Sequence, residues 1–287
     1  MKFAIYTKGE RYFPKEDLVN LIDLSNECGF DMTFNKNFAE YSAENYDIVL
    51  ESYNNSADID ADFVLSFGGD GTFLHCVAML EARDIPILGV NSGRLGFLSS
   101  VGRNDFVNAV RATLAGEYVI EKRSMIEVSG DFDDENVYPH LFNEFTIQKS
   151  ELNMVDITLE INSKKVATVA ADGMIVSTPS GSTAYSLSTG GAILSPTCKT
   201  FIITPIAPHN LTMRPIVVDE GSEITMSVSS RIGECYATLD NRAYKVKSGA
   251  VFNLKLSPNS VSIVKLNDNT FFETLRKKLM WGSPSKF

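Results

Sequence analysis

Positive charge is scarce in this chain: 26 lysines and arginines stand against 36 aspartates and glutamates, a formal net charge of −10. No basic stretch longer than Arg276-Lys277-Lys278 offsets the deficit, which argues against electrostatic binding to nucleic acid or to an anionic membrane. An anionic ligand would need local compensation. Cysteine is scarce as well. Cys28, Cys76, Cys198 and Cys235 lie far apart with no C-x-x-C pair, a spacing from which neither a disulfide framework nor a zinc site can be read, so reduced structural thiols are expected. No apolar run approaches the ~20 residues needed to cross a bilayer. The opening Met1-Lys2-Phe3-Ala4-Ile5-Tyr6 lacks the apolar stretch and small-residue cleavage site of a signal peptide, and a cytoplasmic location is expected. Repeats, low-complexity segments and linkers are also missing.

What is present is enough apolar material, 44% of 287 residues, for one large core or two ordinary ones. Lys2–Tyr6 reads as a strand, and Leu18, Leu21, Ile22, Ser25 and Cys28 mark a helical face that Gly29 can stop. Residues 62–67 read as a buried strand running into Gly68-Gly69-Asp70-Gly71-Thr72, and Phe73, Leu74, Val77, Ala78 and Leu80 then follow at helical spacing. Another strand, 85–90, leads into Asn91-Ser92-Gly93-Arg94-Leu95-Gly96, and a helix over 105–115 closes at Gly116. This is the pattern of an open α/β sheet. Beyond about residue 117 the period becomes two-fold, most plainly where Val155, Ile157, Leu159 and Ile161 alternate with polar neighbours. Further strands are expected at 141–148, 201–206, 215–218, 224–228 and 251–256. The tail over 270–280 returns to helix, with Phe271, Leu275 and Leu279 on one stripe. The fold expected is therefore an α/β N-terminal domain with an open nucleotide-binding sheet, formed by 1–116 and 265–287, and a β-rich domain over 117–264. The terminal helix returns to the first domain.

Glycines at 68, 69 and 71 clear side chains from a strand-to-helix turn, so backbone N–H groups and the helix N-terminus can approach a phosphate; tight packing alone is the other explanation. Asp70 sharpens the choice. A carboxylate inside such a turn repels phosphate unless it binds Mg²⁺ or takes a proton from an attacking hydroxyl, both uses that belong to phosphoryl transfer. Its bland alternative is a helix cap. Neither G-x-x-x-x-G-K-[ST] nor G-x-G-x-x-G occurs here, which disfavours Walker-type NTPases and ordinary dehydrogenases. The run from Asp172 through Thr178-Pro179-Ser180-Gly181-Ser182-Thr183-Ala184-Tyr185-Ser186 gathers hydroxyls, a carboxylate and an aromatic that a dinucleotide could use, or a decorated turn. In Asn143-Glu144, strand alternation puts the Asn143 amide among apolar side chains, so it needs a polar partner, ligand or backbone.

In order and spacing, Gly68 to Thr72, Asn143-Glu144, Thr178 to Ser186 and Thr204-Pro205-Ile206-Ala207-Pro208-His209 resemble NAD kinases. The resemblance runs from the first strand to the C-terminal helix. Its first motif is shared with diacylglycerol and sphingosine kinases and, more loosely, with phosphofructokinases; the later ones mark the NAD kinase branch. The resemblance implies transfer of the γ-phosphate of ATP to the adenosine-side 2′-hydroxyl of NAD, giving NADP. Asp70 would be the general base, Gly71 a substrate contact, and Gly68, Gly69 and Thr72 the phosphate loop. Asn143 and Glu144 would meet adenosine and ribose. Asp172, Thr183, Ala184, Tyr185, Ser186, Ser188 and Ala207 would hold the nucleoside ends of NAD within the β-rich, NAD-binding domain. A divalent ion, Mg²⁺, would accompany ATP, its protein ligands unknown, and a homodimer or homotetramer would form.

The chain departs from the family at several points. His75 stands where relatives often carry Lys or Arg, and as a cation it could face nucleotide phosphate; otherwise it is a neutral, partly packed histidine. Arg242, in Asp240-Asn241-Arg242, replaces a glutamine that in relatives can touch substrate from another subunit, and Met154 replaces a basic residue. His209 matches the family's Pro-His turn in a structural role, and His140 carries no signal. Two rivals remain: a lipid kinase of the same superfamily, which Asn143-Glu144 and 183–188 speak against, and a non-catalytic dinucleotide-binding regulator, which would have no need of Asp70.

Overall fold

The computed structural model describes residues 1–9, 11–81, 83–93, 96–99, 101–266 and 270–282. The chain divides into two compact units, Met1–Lys122 with Val261–Phe287, and Arg123–Ser260.

The first unit is built from β1 (Lys2–Thr7), α1 (Lys15–Cys28), β2 (Asp31–Asn35), α2 (Lys36–Tyr46), β3 (Ser52–Tyr53), β4 (Phe63–Phe67), α3 (Asp70–Met79), β5 (Ile87–Asn91), β6 (Val101–Gly102) and α4 (Phe106–Leu114). Its strands lie in the order β5-β4-β1-β2-β3, every neighbouring pair parallel, and β6 pairs with β5. All residues of β4 and β5 are buried, as central strands of a parallel sheet must be when helices cover both faces. Phenylalanine fills much of this core: Phe13 sits 4.4 Å from Phe67 by ring centroid, and Phe3, Phe34, Phe38 and Phe106 lie in the same cluster. Gly29, at φ 70°, ends α1 in the left-handed conformation that a residue with Cβ resists.

The second unit opens within β7 (Val119–Gly130), which pairs with β8 (His140–Leu141). It continues through β9 (Glu144–Lys149), β10 (Val155–Ile161), β11 (Lys164–Ala171), β12 (Gly173–Ser177), the single-turn α5 (Tyr185–Ser188), β13 (Thr200–Ile206) and β14 (Ile216–Asp219). Then come β15 (Ile224–Ser230), β16 (Glu234–Leu239), β17 (Arg242–Lys247) and β18 (Val251–Lys265). One antiparallel sheet runs β14-β13-β12-β9-β16-β17, and the pairs β11-β10-β15-β18 make a second antiparallel run. Their inner residues, among them Phe145, Ile157, Phe201, Met226 and Phe252, form the unit's own core.

The last residues of β18 belong to the first unit, where Ile263 pairs in parallel with Ile87. The tail then forms α6 (Phe271–Leu279), opened by a capping box between Thr270 and Glu273 and closed by Arg276, Lys277 and Lys278, cations placed where the helix dipole favours them. Leu275 is buried and Phe271 meets the Phe97 ring, whereas Leu279 is partly exposed, so the apolar stripe is shorter than the periodicity predicts.

The segment 141–148, which reads as one strand, is in fact broken between β8 and β9. The half-buried carboxylate of Asp240 accepts the N–H groups of Phe142, Asn143 and Glu144 at 2.8, 2.7 and 3.1 Å, drawing three successive amides onto one side chain. Alternating ladder hydrogen bonds cannot form there.

Candidate active site

The turn after β4 carries the first cluster. A Cβ at Gly68 would lie 2.3 Å from Thr72 Oγ1, so this glycine is what allows α3 to start so close to the strand. The N–H groups of Thr72 and Phe73 already bond Gly69 O at 2.9 and 3.1 Å, so the opening amides that a helix N-terminus leaves for an anion are those of Asp70 and Gly71. Asp70 is the first residue of α3, and among the described residues no bond to its own helix is found for its carboxylate. Its carboxylate instead reaches the segment 96–99. Oδ2 accepts from Phe97 N–H at 3.0 Å, Oδ1 from Leu98 and Ser99 N–H at 3.1 and 3.3 Å, and the ammonium of Lys278 approaches Oδ2 to 3.1 Å. A Cβ at Gly96 would come within 2.0 Å of Asp70 Oδ1, so glycine there is a condition of this seat.

One turn and a half along α3, His75 is half-buried, and burial first, then the charge of Lys8, holds its imidazole below the ordinary histidine range. It is therefore neutral near pH 7, and the local positive charge is that of Lys8. Lys8 borders a cavity of about 550 Å³ at the carboxyl ends of β1, β2 and β3, with Thr7, Asn35, Tyr41, Tyr53 and Met79 also in its wall. Ligands of open α/β sheets bind at this edge. Thr7 is 2% exposed, and its hydroxyl oxygen has no partner among the described residues.

The second unit carries its own cluster at one end of the β9-β12 pair, where Glu144 stands opposite Ser177. Thr178 donates its hydroxyl to Phe142 O at 2.7 Å and its N–H to Asn143 O at 2.9 Å. Asn143 Oδ1 and Glu144 Oε2 are both buried and, among the described residues, without a hydrogen-bond partner. Polar atoms left so on two successive residues at the end of a sheet are places for a polar ligand to fill. Burial first, and then the charge of Asp240, pushes the Glu144 carboxyl up to about 8. The Asp240 carboxyl is raised as well, by burial, but three amides and the Arg242 charge counteract this.

From this end the loop 178–188 folds back along the sheet. Ser186 Oγ lies 2.9 Å from Thr204 Oγ1, midway along β13, so its hydroxyl fastens the loop, while Tyr185 and Ser188 are exposed. Thr183 Oγ1 donates to Ser180 O at 3.2 Å, and Ala184 sits between the two short helical turns. Asp172 is not part of this cluster. It lies at the opposite end of β12, five residues from Ser177 or about 17 Å at strand rise, where it pairs with Lys149 at 2.6 Å. Its N–H bonds Ile206 O at 3.0 Å, beside Ala207, whose φ of 42° marks a tight turn.

Arg242 is committed within its own unit. It donates to Tyr138 O and His140 O at 2.7 Å and to Leu239 O at 3.3 Å, and it lies 5.2 Å over the Tyr138 ring. Met154 is exposed. His209 is exposed and tied through its N–H to Ala170 O at 2.9 Å, and His140 bonds Ser257 and Asn259. The four cysteines stand free. Lys8, Lys149, Asp240 and Lys278 are the site neighbours that sequence reasoning passed over. Only Asp240 carried a readable cue, its place before Asn241 and Arg242.

A glycine turn leading into a helix, with a carboxylate beside it and a cavity at the same sheet edge, is the equipment of nucleotide phosphotransfer. The chain matches the ATP-NAD kinase N-terminal domain over residues 20–118 and the ATP-NAD kinase C-terminal domain over residues 142–266. It is 36% identical over 291 residues to the NAD kinase of Bacteroides fragilis, covering 100% of both chains. It is also 42% identical over 223 residues to that of Porphyromonas gingivalis, covering 77% of each. In fold it is similar to yeast NADH kinase complexed with NADH, at a TM-score of 0.84 and 22% identity over 99% of this chain and 88% of that one. It is likewise similar to an NAD kinase from Archaeoglobus fulgidus in complex with ATP, at a TM-score of 0.77 and 22% identity over 98% and 99%. The chain belongs to the NAD kinase family, and it is an enzyme.

Proposed function

We propose that the chain transfers the γ-phosphoryl group of ATP to the adenosine-side 2′-hydroxyl of NAD, with Asp70 as general base. The proton of the hydroxyl passes to Asp70, the oxygen bonds the γ-phosphorus, and the bond to the β-phosphate oxygen breaks with its electron pair leaving on ADP. The observation that carries this reading is the seat of Asp70: turned away from its own helix, fixed by three backbone amides, beside amides able to bind phosphate. Gly68, Gly69, Gly71 and Thr72 form the phosphate loop. The triphosphate extends past Lys8 and His75, with the cavity at the ends of β1 to β3 as its nucleoside pocket. Asn143 Oδ1 and Glu144 Oε2 find their partners in the adenosine and ribose of NAD. Thr183, Ala184, Tyr185 and Ser188 line the same ligand, with Ser186 holding the loop, and Asp172 with Ala207 serves its far end.

Mg²⁺ enters with ATP. Among the described residues no group of three or more His, Cys, Asp or Glu is placed to hold a metal ion, which suits an ion carried largely by substrate phosphates and water. The bound ion would neutralise charge on the migrating phosphoryl group. The family resemblance further supports a homodimer or homotetramer.

Incubation of the purified chain with ATP and Mg²⁺ plus either NAD or diacylglycerol decides between kinases. NADP is the expected product; NADP at background level would remove the assignment, and phosphorylated lipid would replace it. Gly96→Ala tests the seat itself. The added methyl must push the Asp70 carboxylate aside, and displacement of a reacting group on this scale should lower kcat roughly tenfold with little change in the Kd for NAD. Unchanged turnover would show that the carboxylate need not sit where it does.

A further inference from the structure

The Asp70 carboxylate is saturated. Oδ1 holds two N–H groups, and Oδ2 holds the N–H of Phe97 and the ammonium of Lys278. A base needs an open lone pair facing its hydroxyl. The three amides are fixed by the backbone of 97–99, whereas Lys278 is a rotatable ammonium on a flexible stem, its side chain 34% exposed, with Nζ 4.6 Å from the Phe97 ring centroid. Of the four donors, only Lys278 can leave without unfolding the loop.

The arriving triphosphate supplies the reason to leave. It offers several anionic oxygens, against one carboxylate that already has three amide donors. The chain carries a net charge of −10, and the histidine on α3 that might have met phosphate as a cation is held neutral, so besides Lys8 the cation given beside this turn among the described residues is Lys278. We propose that Lys278 is the phosphate-site cation: it pairs with Asp70 in the free enzyme, moves onto the phosphate oxygens of bound ATP, and so opens Oδ2 to the attacking hydroxyl. This inference rests on the phosphotransfer reading above, and it makes Lys278 both a substrate contact and a latch on the base.

Lys278→Met keeps an unbranched apolar stem over Phe97 and removes the charge; Lys278→Arg keeps the charge. In the full-length enzyme, Lys278→Met should raise the KM and the Kd for ATP about tenfold, the worth of one charge-assisted hydrogen bond, while the KM for NAD stays within about twofold. Lys278→Arg should recover most of the ATP affinity. A purely structural lysine would instead lower kcat and leave ATP binding unchanged in Lys278→Met, or affect ATP and NAD alike, and either result overturns the proposal. If the methionine variant fails to fold, Lys278→Arg and Lys278→Gln carry the same comparison. Asp70→Asn is measured alongside. Lost turnover there, with ATP binding unaffected in Lys278→Met, retains the base and discards the handover; full turnover in Asp70→Asn discards both.

Discussion

Asp70→Asn should yield a folded enzyme that still binds NAD but turns over on the order of a hundredfold more slowly or worse, the usual cost of losing a positioned general base. The substitution is nearly isosteric, and the remaining amide oxygen can still accept the N–H groups of Leu98 and Ser99. What changes is the Oδ2 side. There an NH₂ group would face the N–H of Phe97 and the ammonium of Lys278, donor against donor. Some loosening of 96–99 is therefore expected, a loss on the order of 1 kcal/mol from an unmet half-buried amide, visible as a lower Tm. The NAD contacts proposed for the other unit do not pass through this carboxylate, so the Kd for NAD should move only a few-fold. NADP formation by Asp70→Asn at the native rate would end the general-base assignment, whatever the melting curve shows.

The Gly68–Thr72 turn was legible in the sequence because everything that defines it is local: three glycines in four positions, an apolar run of strand length before them and helical spacing after. The Asn143 problem was legible for the same reason, since a two-residue period puts an amide among Leu141, Phe145 and Ile147. Its consequence was not, because Asp240, which organises that end of the sheet, lies 97 residues downstream and breaks the strand that local alternation predicts. Lys278 is more remote still, 208 residues from Asp70, and reads in the sequence as the cationic end of an amphipathic helix. Arg242 stands where relatives carry a glutamine able to touch substrate, and the sequence does not say what the arginine does; three carbonyls claim its guanidinium. Side chains that act through local backbone can be read from spacing; those recruited by tertiary contact cannot.

Glu144 gives the second large effect, and its sign follows from where the proton sits. In the unfolded chain the carboxyl titrates near 4.5, whereas burial and the Asp240 charge push it up to about 8 in the folded enzyme. Between those values the folded state holds a proton that the unfolded state has released, so the native enzyme must lose stability as pH rises through the window and level off above it. Glu144→Gln fixes the neutral form and removes that slope. Wild type and variant should therefore be equally stable near pH 5 and diverge toward pH 8, the variant gaining stability there. At about 1.4 kcal/mol per pH unit the ceiling is roughly 5 kcal/mol, and about 3 kcal/mol at pH 7. The amide still donates and accepts, so if the role of Glu144 is to meet ribose as a neutral acid, Glu144→Gln should keep NAD affinity within a few-fold at pH 7, whereas Glu144→Ala should lose it. Denaturant melts of both proteins from pH 5 to pH 8 are the measurement. Parallel curves would mean that Glu144 is ionised in the folded enzyme and that something other than a neutral carboxyl fills the end of this sheet.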